Sequence, residues 1–353
     1  MAEQEQVASP HIDLAWLDLP SKWGIRSKID PRRGLTLESI NDGPYGDVPE
    51  TATTRNGLMR GAAARPEAPR LAYWMPQRDD VYAYNLNALY EEALQRQWSS
   101  ATDIPWETVK PLPDEVERAI CKLCTFLAEV EFIAGDVPSQ WLARISPEHF
   151  EVKAFLVTQV MDEARHLDAF RKRALMNGGG LMGQGGRGLR GFVANEDFVE
   201  LTTALHIAAE GSILSVFRTG ELIAQNEAEK RIFRLAAQDE SRHAAFGVLH
   251  VKHVLETQPW RREEVNHYLD RGVRIFTSPQ GGITANPATA EAQAFLLAGG
   301  NKNKIDVGYR KLMEIRRRQR REFLQRCNAA GLPERSQMIT DEERRFLAHP
   351  IIT

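Results

Sequence analysis

From residue 79 onward, apolar residues recur three and four positions apart, and no segment alternates apolar and polar side chains at the period of a strand. The pattern predicts an all-α protein. A first helix is expected over Asp79–Trp98, with Tyr82, Leu86, Leu89, Tyr90 and Leu94 at helical spacing and Asp79 as its cap. Asp103-Ile104-Pro105-Trp106 reads as a turn, and Pro113–Ile145 as a second helix with Pro138 as a kink or stop. Ser146-Pro147-Glu148 starts a third, over Pro147–Asn177. After a glycine-dense break at Gly178–Gly191, Asn195–Gln225 and Asn226–Thr257 follow almost without a loop. Further helices are expected over Arg261–Phe276, weakly near 289–300, and strongly over 303–329, with Ser278–Thr289 as loop. The stretch 1–78 is rich in Pro, Gly and Arg and shows no sustained period. The chain thus divides into an irregular N-terminal extension (1–78), a helical bundle (79–275) and a C-terminal helical extension (276–353).

Two five-residue strings stand inside these helices: Asp162-Glu163-Ala164-Arg165-His166 and Asp239-Glu240-Ser241-Arg242-His243. Residues three apart share one helix face, roughly 5–6 Å apart at Cβ, so each Glu-x-x-His can grip one metal ion. A lone glutamate lies some thirty residues upstream of each, Glu131 and Glu210. One Glu-x-x-His is close to noise in a chain with 48 acidic residues and 9 histidines. Two copies in matching context, each with a spaced partner glutamate, are not. The set Glu131, Glu163, His166, Glu210, Glu240 and His243 has the composition of a dimetal carboxylate site built on four helices. The helix pairs 113–177 and 195–257 read as a diverged internal duplication, each giving half the site. Four carboxylates balance two divalent cations, and an oxygen-rich set with two imidazoles suits iron or manganese better than zinc.

Composition narrows the setting. With 353 residues and 42% hydrophobic content the chain can bury a large core. A net charge of −3 gives no reason to expect nucleic acid or an anionic membrane as a partner. No apolar run approaches the ~18 residues of a membrane helix, and the first residues do not resemble a signal peptide. Three cysteines make no disulfide framework, so a reducing, cytoplasmic setting is expected. Gly183–Gly188 spells G-x-G-x-x-G, but between helices it reads as a connection. Cys121-x-x-Cys124 reads as two buried small residues. The basic run 316–321, flanked by Glu314 and Glu322, reads as a solvated amphipathic helix, with Leu312, Ile315 and Phe323 as its apolar stripe.

The paired D-E-x-R-H strings with their upstream glutamates resemble the ferritin-like di-iron carboxylate proteins. In their doubled form they are most similar to the hydroxylase subunits of bacterial multicomponent monooxygenases, whereas the modest length resembles stand-alone di-iron N-oxygenases. The resemblance covers residues 79–275. It implies a ferritin-like four-helix bundle with flanking helices, holding two Fe ions (Mn being the alternative at either position) and using O2 to oxidise a small organic substrate. It also implies a homodimer. No flavin, nicotinamide or iron–sulfur motif is recognised, so the electron donor is expected to be a separate reductase or ferredoxin. Asp162 and Asp239 match aspartates that hold the ligand histidines of the opposite half, a role that fixes the tautomer of a metal-bound imidazole. Arg165 and Arg242 would compensate the buried acid charge.

The chain also departs from these patterns. Leu214 stands where the monooxygenases carry a threonine, leaving Ser212 or Ser215 as substitutes. Phe170 stands where ribonucleotide reductase small subunits commonly carry a radical tyrosine. Ala236 stands where the N-oxygenases carry an extra histidine, while His206, one turn before Glu210, could reach the cluster from another helix. Gly135, Phe170, Leu214 and Phe217 are plausible pocket walls, although residues at such helical spacing are more often core. A radical-generating subunit and a ferroxidase or iron-storage protein remain the alternative readings.

Overall fold

The computed structural model describes residues 12, 14–18, 24–52, 59–62, 75, 77–183, 191–195, 197–277 and 287–348. Residues 184–188 of the glycine motif and 278–286 of the predicted loop Ser278–Thr289 lie outside them, while 287–289 are helical rather than loop. Met1–Asp47 and Val48–Thr353 form two compact units. In the first, the described residues hold a 3-10 turn at Ala15–Asp18 and one helical turn, Leu37–Ile40, closed by a Thr36/Ser39 capping box.

The second unit is helical, and among the described residues no strand occurs, only isolated bridges. Its helices are α1 (Leu86–Gln95), α2 (Asp114–Ser139) and α3 (Phe150–Leu175), then α4, which runs over 198–223. They continue with α5 (Glu227–Thr257), α6 (Arg262–Thr277), α7 (Pro287–Leu297), α8 (Ile305–Ala329) and α9 (Asp341–Ala348). Local chemistry sets the ends. Three acids, Asp114, Glu115 and Glu117, occupy the first turn of α2, where the helix dipole favours them. Asp197 caps α4 through the Val199 amide and Asn226 caps α5 through that of Glu229. Pro138 fits the last turn of α2, which stops one residue later. The first helix is shorter than its periodicity predicts: Asp79 belongs to a separate 3-10 turn, Arg78–Asp80, and Asn85 enters α1 at φ 55°.

The four long helices α2 to α5 enclose one apolar core. A smaller cluster, including Val199, Ile207, Val251, Leu269 and Phe323, joins α4 and α5 to α6 and α8. At one end of the bundle Arg173, fully buried, grips Glu117 through Nη1 at 2.7 Å and Nη2 at 3.0 Å, and Glu229 through Nε at 2.7 Å. This triad ties α3 to α2 and α5. The basic run on α8 is less solvated than expected: Arg316 reaches Gln293 and Gln319, while Arg317 and Arg318 pair with Glu314 and Glu322.

The predicted helix over Asn195–Gln225 is not uniform. Thr202–Glu210 is π-helical, with α-helical Phe198–Leu201 before it and Gly211–Ile223 after it. A π segment holds one residue more than an α-helix would, and such insertions cluster at functional sites. This one ends on Glu210.

Candidate dimetal site

Helices α2, α3, α4 and α5 bring Glu131, Glu163, His166, Glu210, Glu240 and His243 together in the bundle centre, each no more than 2% exposed. They form two overlapping groups. Ligand atoms of Glu131, Glu163, His166 and Glu240 all lie within 4.8 Å of one another, as do those of Glu163, Glu210, Glu240 and His243. Glu163 and Glu240 belong to both groups, so each could serve either of two ions. His166 Nδ1 lies 3.5 Å from oxygens of Glu131, Glu163 and Glu240. His243 Nδ1 lies 3.1 Å from Glu163 and 3.5 Å from Glu240.

The fit to metal ions can be tested on these atoms. Both Glu131 oxygens, both Glu163 oxygens, one oxygen each of Glu210 and Glu240, and both histidine Nδ1 atoms are buried without a hydrogen-bond partner. Buried polar atoms normally have partners, so their convergence on one place is what a pair of cations would satisfy. The electrostatics agree. Burial pushes the carboxyls of Glu131 and Glu210 well up. Burial also opposes charge on Glu163 and the two imidazoles, but the imidazoles hold Glu163 down, while Asp239 and the clustered glutamates raise His166, and Asp162 with Glu163 and Glu240 raises His243. Metal binding would require these groups to be deprotonated.

Around the ligands lies a crossed set of supports. His166 Nε2 donates to Asp239 Oδ2 at 3.2 Å, and His243 Nε2 donates to Asp162 Oδ2 at 3.1 Å. Each aspartate thus holds the histidine of the other half, fixing the proton on Nε2 and turning Nδ1 to the centre. Arg242 donates to both, at 2.9 Å to Asp162 and 2.6 Å to Asp239, and Arg165 bridges the same two acids. Two guanidiniums and two carboxylates cancel, leaving the ligand charge for the metals. Burial would raise the Asp239 carboxyl, but His166, Arg242 and Trp98 together hold it well below its usual range.

Two supports are not announced by the motifs. The Trp98 indole donates to Asp239 at 2.8 Å, and its ring stacks on His166 with centroids 6.2 Å apart. Gln159 donates to Glu210 at 2.8 Å and accepts from His206 Nε2 at 3.1 Å. His206 therefore stands outside both ligand groups and orients Glu210 through Gln159. The serines offered in place of the missing threonine also face elsewhere: Ser212 donates to the Ala208 carbonyl and Ser215 to Glu322.

A narrow pocket, whose cavity volume is only about 20 Å³, is lined at its polar side by Glu131, Glu210 and Glu240. Its walls are Val130, Ile133, Ala134, Phe192, Leu205 and Ile213, joined by Ala209. The candidate walls are elsewhere. Phe170, Phe217 and Phe233 pack on one another as core, and Gly135 faces Glu163. Phe170 and Phe217 are core, as their helical spacing favours, while Ala134 and Ile213, one position before Gly135 and Leu214, line the pocket.

No protein-family profile matches the chain, and no curated protein matches it. Solved structures do. A variant of an R2-like ligand-binding oxidase with aerobically reconstituted Mn/Fe cofactor aligns with a TM-score of 0.55 at 17% identity, covering 70% of this chain and 93% of that chain. A second Mn/Fe variant gives 0.54 at 19% identity, and one with an aerobically reconstituted Fe/Fe cofactor 0.53 at 18%, with the same coverage. At such identities the likeness is one of architecture: the chain has the ferritin-like helical-bundle fold.

Proposed function

We propose that this chain is an O2-activating dimetal oxidase or oxygenase acting on a small, largely apolar organic substrate. The observation that carries the reading is the meeting of two bridged ligand groups with one end of an apolar pocket. The neighbours in fold hold Mn/Fe or Fe/Fe cofactors, which supports iron, with manganese as the alternative at either position. When bound, two such ions would supply the electrons that reduce O2. The chain's own residues do the rest. Glu163 and Glu240 hold the ions as a pair, Asp162 and Asp239 fix both imidazoles, and the apolar walls exclude water while offering a substrate only dispersion and burial. Monooxygenase or N-oxygenase chemistry, fed by a separate reductase or ferredoxin, fits this frame. We assign the metal chemistry to 79–275, with 1–78 and 276–353 as extensions.

Anaerobic loading with excess Fe(II), followed by O2, tests the reading. Oxidation is expected to stop at two irons per chain, with O2 uptake in fixed proportion. Oxidation running far beyond two irons would establish ferroxidase or storage activity instead.

The outer face of α3 supports self-association. Ala154, Val157, Val160, Met161, Ala164 and Leu167 line it, and Val157 and Met161 are each 53% exposed. Phe132 of α2 is 62% exposed. Such a stripe is uncommon on a monomer. A homodimer is expected in sedimentation, converted to monomer by Met161→Glu; a monomeric wild type would refute it. No helix among the described residues is long and apolar enough to cross a membrane. The three cysteines are free and buried, in keeping with a cytoplasmic setting.

A further inference from the structure

We propose that Arg326, on the C-terminal helix α8, fixes the π register of α4 and so places Glu210 on the metal pair; the second half of this statement rests on the dimetal reading. The argument begins with one carbonyl. In an α-helix the Gly211 N–H would bond to the carbonyl of Ile207, four residues back. Here it bonds to the carbonyl of His206, five residues back. The Ile207 carbonyl loses its helical donor at that point. Ile207 is fully buried, so water is no substitute, and an unpaired buried carbonyl costs about as much as a lost hydrogen bond. Arg326 Nε donates to that oxygen at 3.2 Å. About two turns earlier on α8, Gln319 donates to the Ser212 carbonyl at 2.9 Å. The C-terminal helix thus holds the backbone on both sides of Glu210.

Gly211 makes room for this. A Cβ there would lie 2.2 Å from Arg326 Nε and 2.5 Å from its Cζ. The guanidinium occupies the space that any other residue at 211 would fill.

Register decides ligand position. Removing the extra residue from the π segment would turn one side of α4 by about 100° relative to the other. Glu210 would then leave the cluster, or Leu205 and Ala209 would leave the pocket. Arg326 touches no ligand atom, so it is a positioning residue.

The test uses the full-length metal-free chain and its Arg326→Ala, Arg326→Lys and Gly211→Ala variants. Each is titrated anaerobically with Mn(II) while free and spin-coupled Mn(II) are followed by EPR, and amide exchange is measured over 202–214. Wild type is expected to bind two coupled ions. Arg326→Ala should keep one and bind the second roughly 10- to 100-fold more weakly, with faster exchange at the exit of the π segment. Lysine, which keeps a donor, should restore most of both. Should Arg326→Ala fail to fold, Gly211→Ala reports instead, because its methyl displaces only the flexible end of the arginine. Two coupled ions at wild-type affinity with unchanged exchange in the folded variants would overturn the proposal. A wild type that binds no pair would refute the dimetal reading, while the exchange data would still decide whether Arg326 holds the register.

Discussion

Glu163→Ala is expected to strip both metal ions from the chain, whereas His243→Ala should remove only one. The difference follows from membership: Glu163 contributes to both ligand groups and His243 to one. Losing a bridging carboxylate removes a ligand from each ion and leaves the pair with one negative charge fewer to offset four positive ones. Elemental analysis after Fe(II) loading and desalting reads the result directly. A thermal readout accompanies it. A ligand present at 100 times its dissociation constant stabilises the folded state by about 2.7 kcal/mol, so wild type should melt later with metal and Glu163→Ala should not respond. Retention of two ions by the variant would sink the assignment of Glu163 as a bridge.

Arg173→Met is expected to destabilise the fold by about 3–5 kcal/mol at neutral pH, because it leaves two buried carboxylates without their shared cation. The effect should shrink in acid. In the native protein burial opposes the charge of Glu117, yet Arg173 and Asn177 hold its carboxyl below the usual value. A carboxyl depressed on folding contributes stability above its unfolded pKa and loses it as pH falls through the folded one. Without the guanidinium, burial is opposed only by the hydrogen bonds from Asn177 and Cys121, so the Glu117 carboxyl rises, accepts a proton more readily, and the variant is relieved as pH falls. Urea midpoints at pH 7 and near pH 4.5 measure this. A gap between wild type and variant that widens in acid would contradict the account.

The six residues that converge in the bundle and the all-α fold were legible in the sequence because both follow from short-range patterns. Glu-x-x-His spacing and the 3.6-residue period follow from one helix at a time, as in Glu163/His166 and Glu240/His243. What could not be read depends on two helices meeting. Trp98 lies far along the chain from Asp239, and Gln159 from Glu210, with nothing in either segment to mark a partner. The π segment was hidden for another reason: Thr202–Glu210 is buried on every side, so one inserted residue leaves the apolar pattern unbroken. The same uniformity leaves Ile213, which lines the pocket, indistinguishable from Leu214 in the apolar pattern.

The crossed aspartates have a consequence for how the chain is made. The N-terminal half emerges from the ribosome first, carrying Glu131, Glu163 and His166, but the group that orients His166 is Asp239 of the later half. At about 5–20 residues per second, several seconds separate the two. Until Asp239 arrives, His166 has no fixed tautomer, and Glu240 is missing from the first ligand group. On the proposed dimetal reading, metal capture would thereby be deferred to the end of synthesis, and a nascent chain would hold no half-built centre.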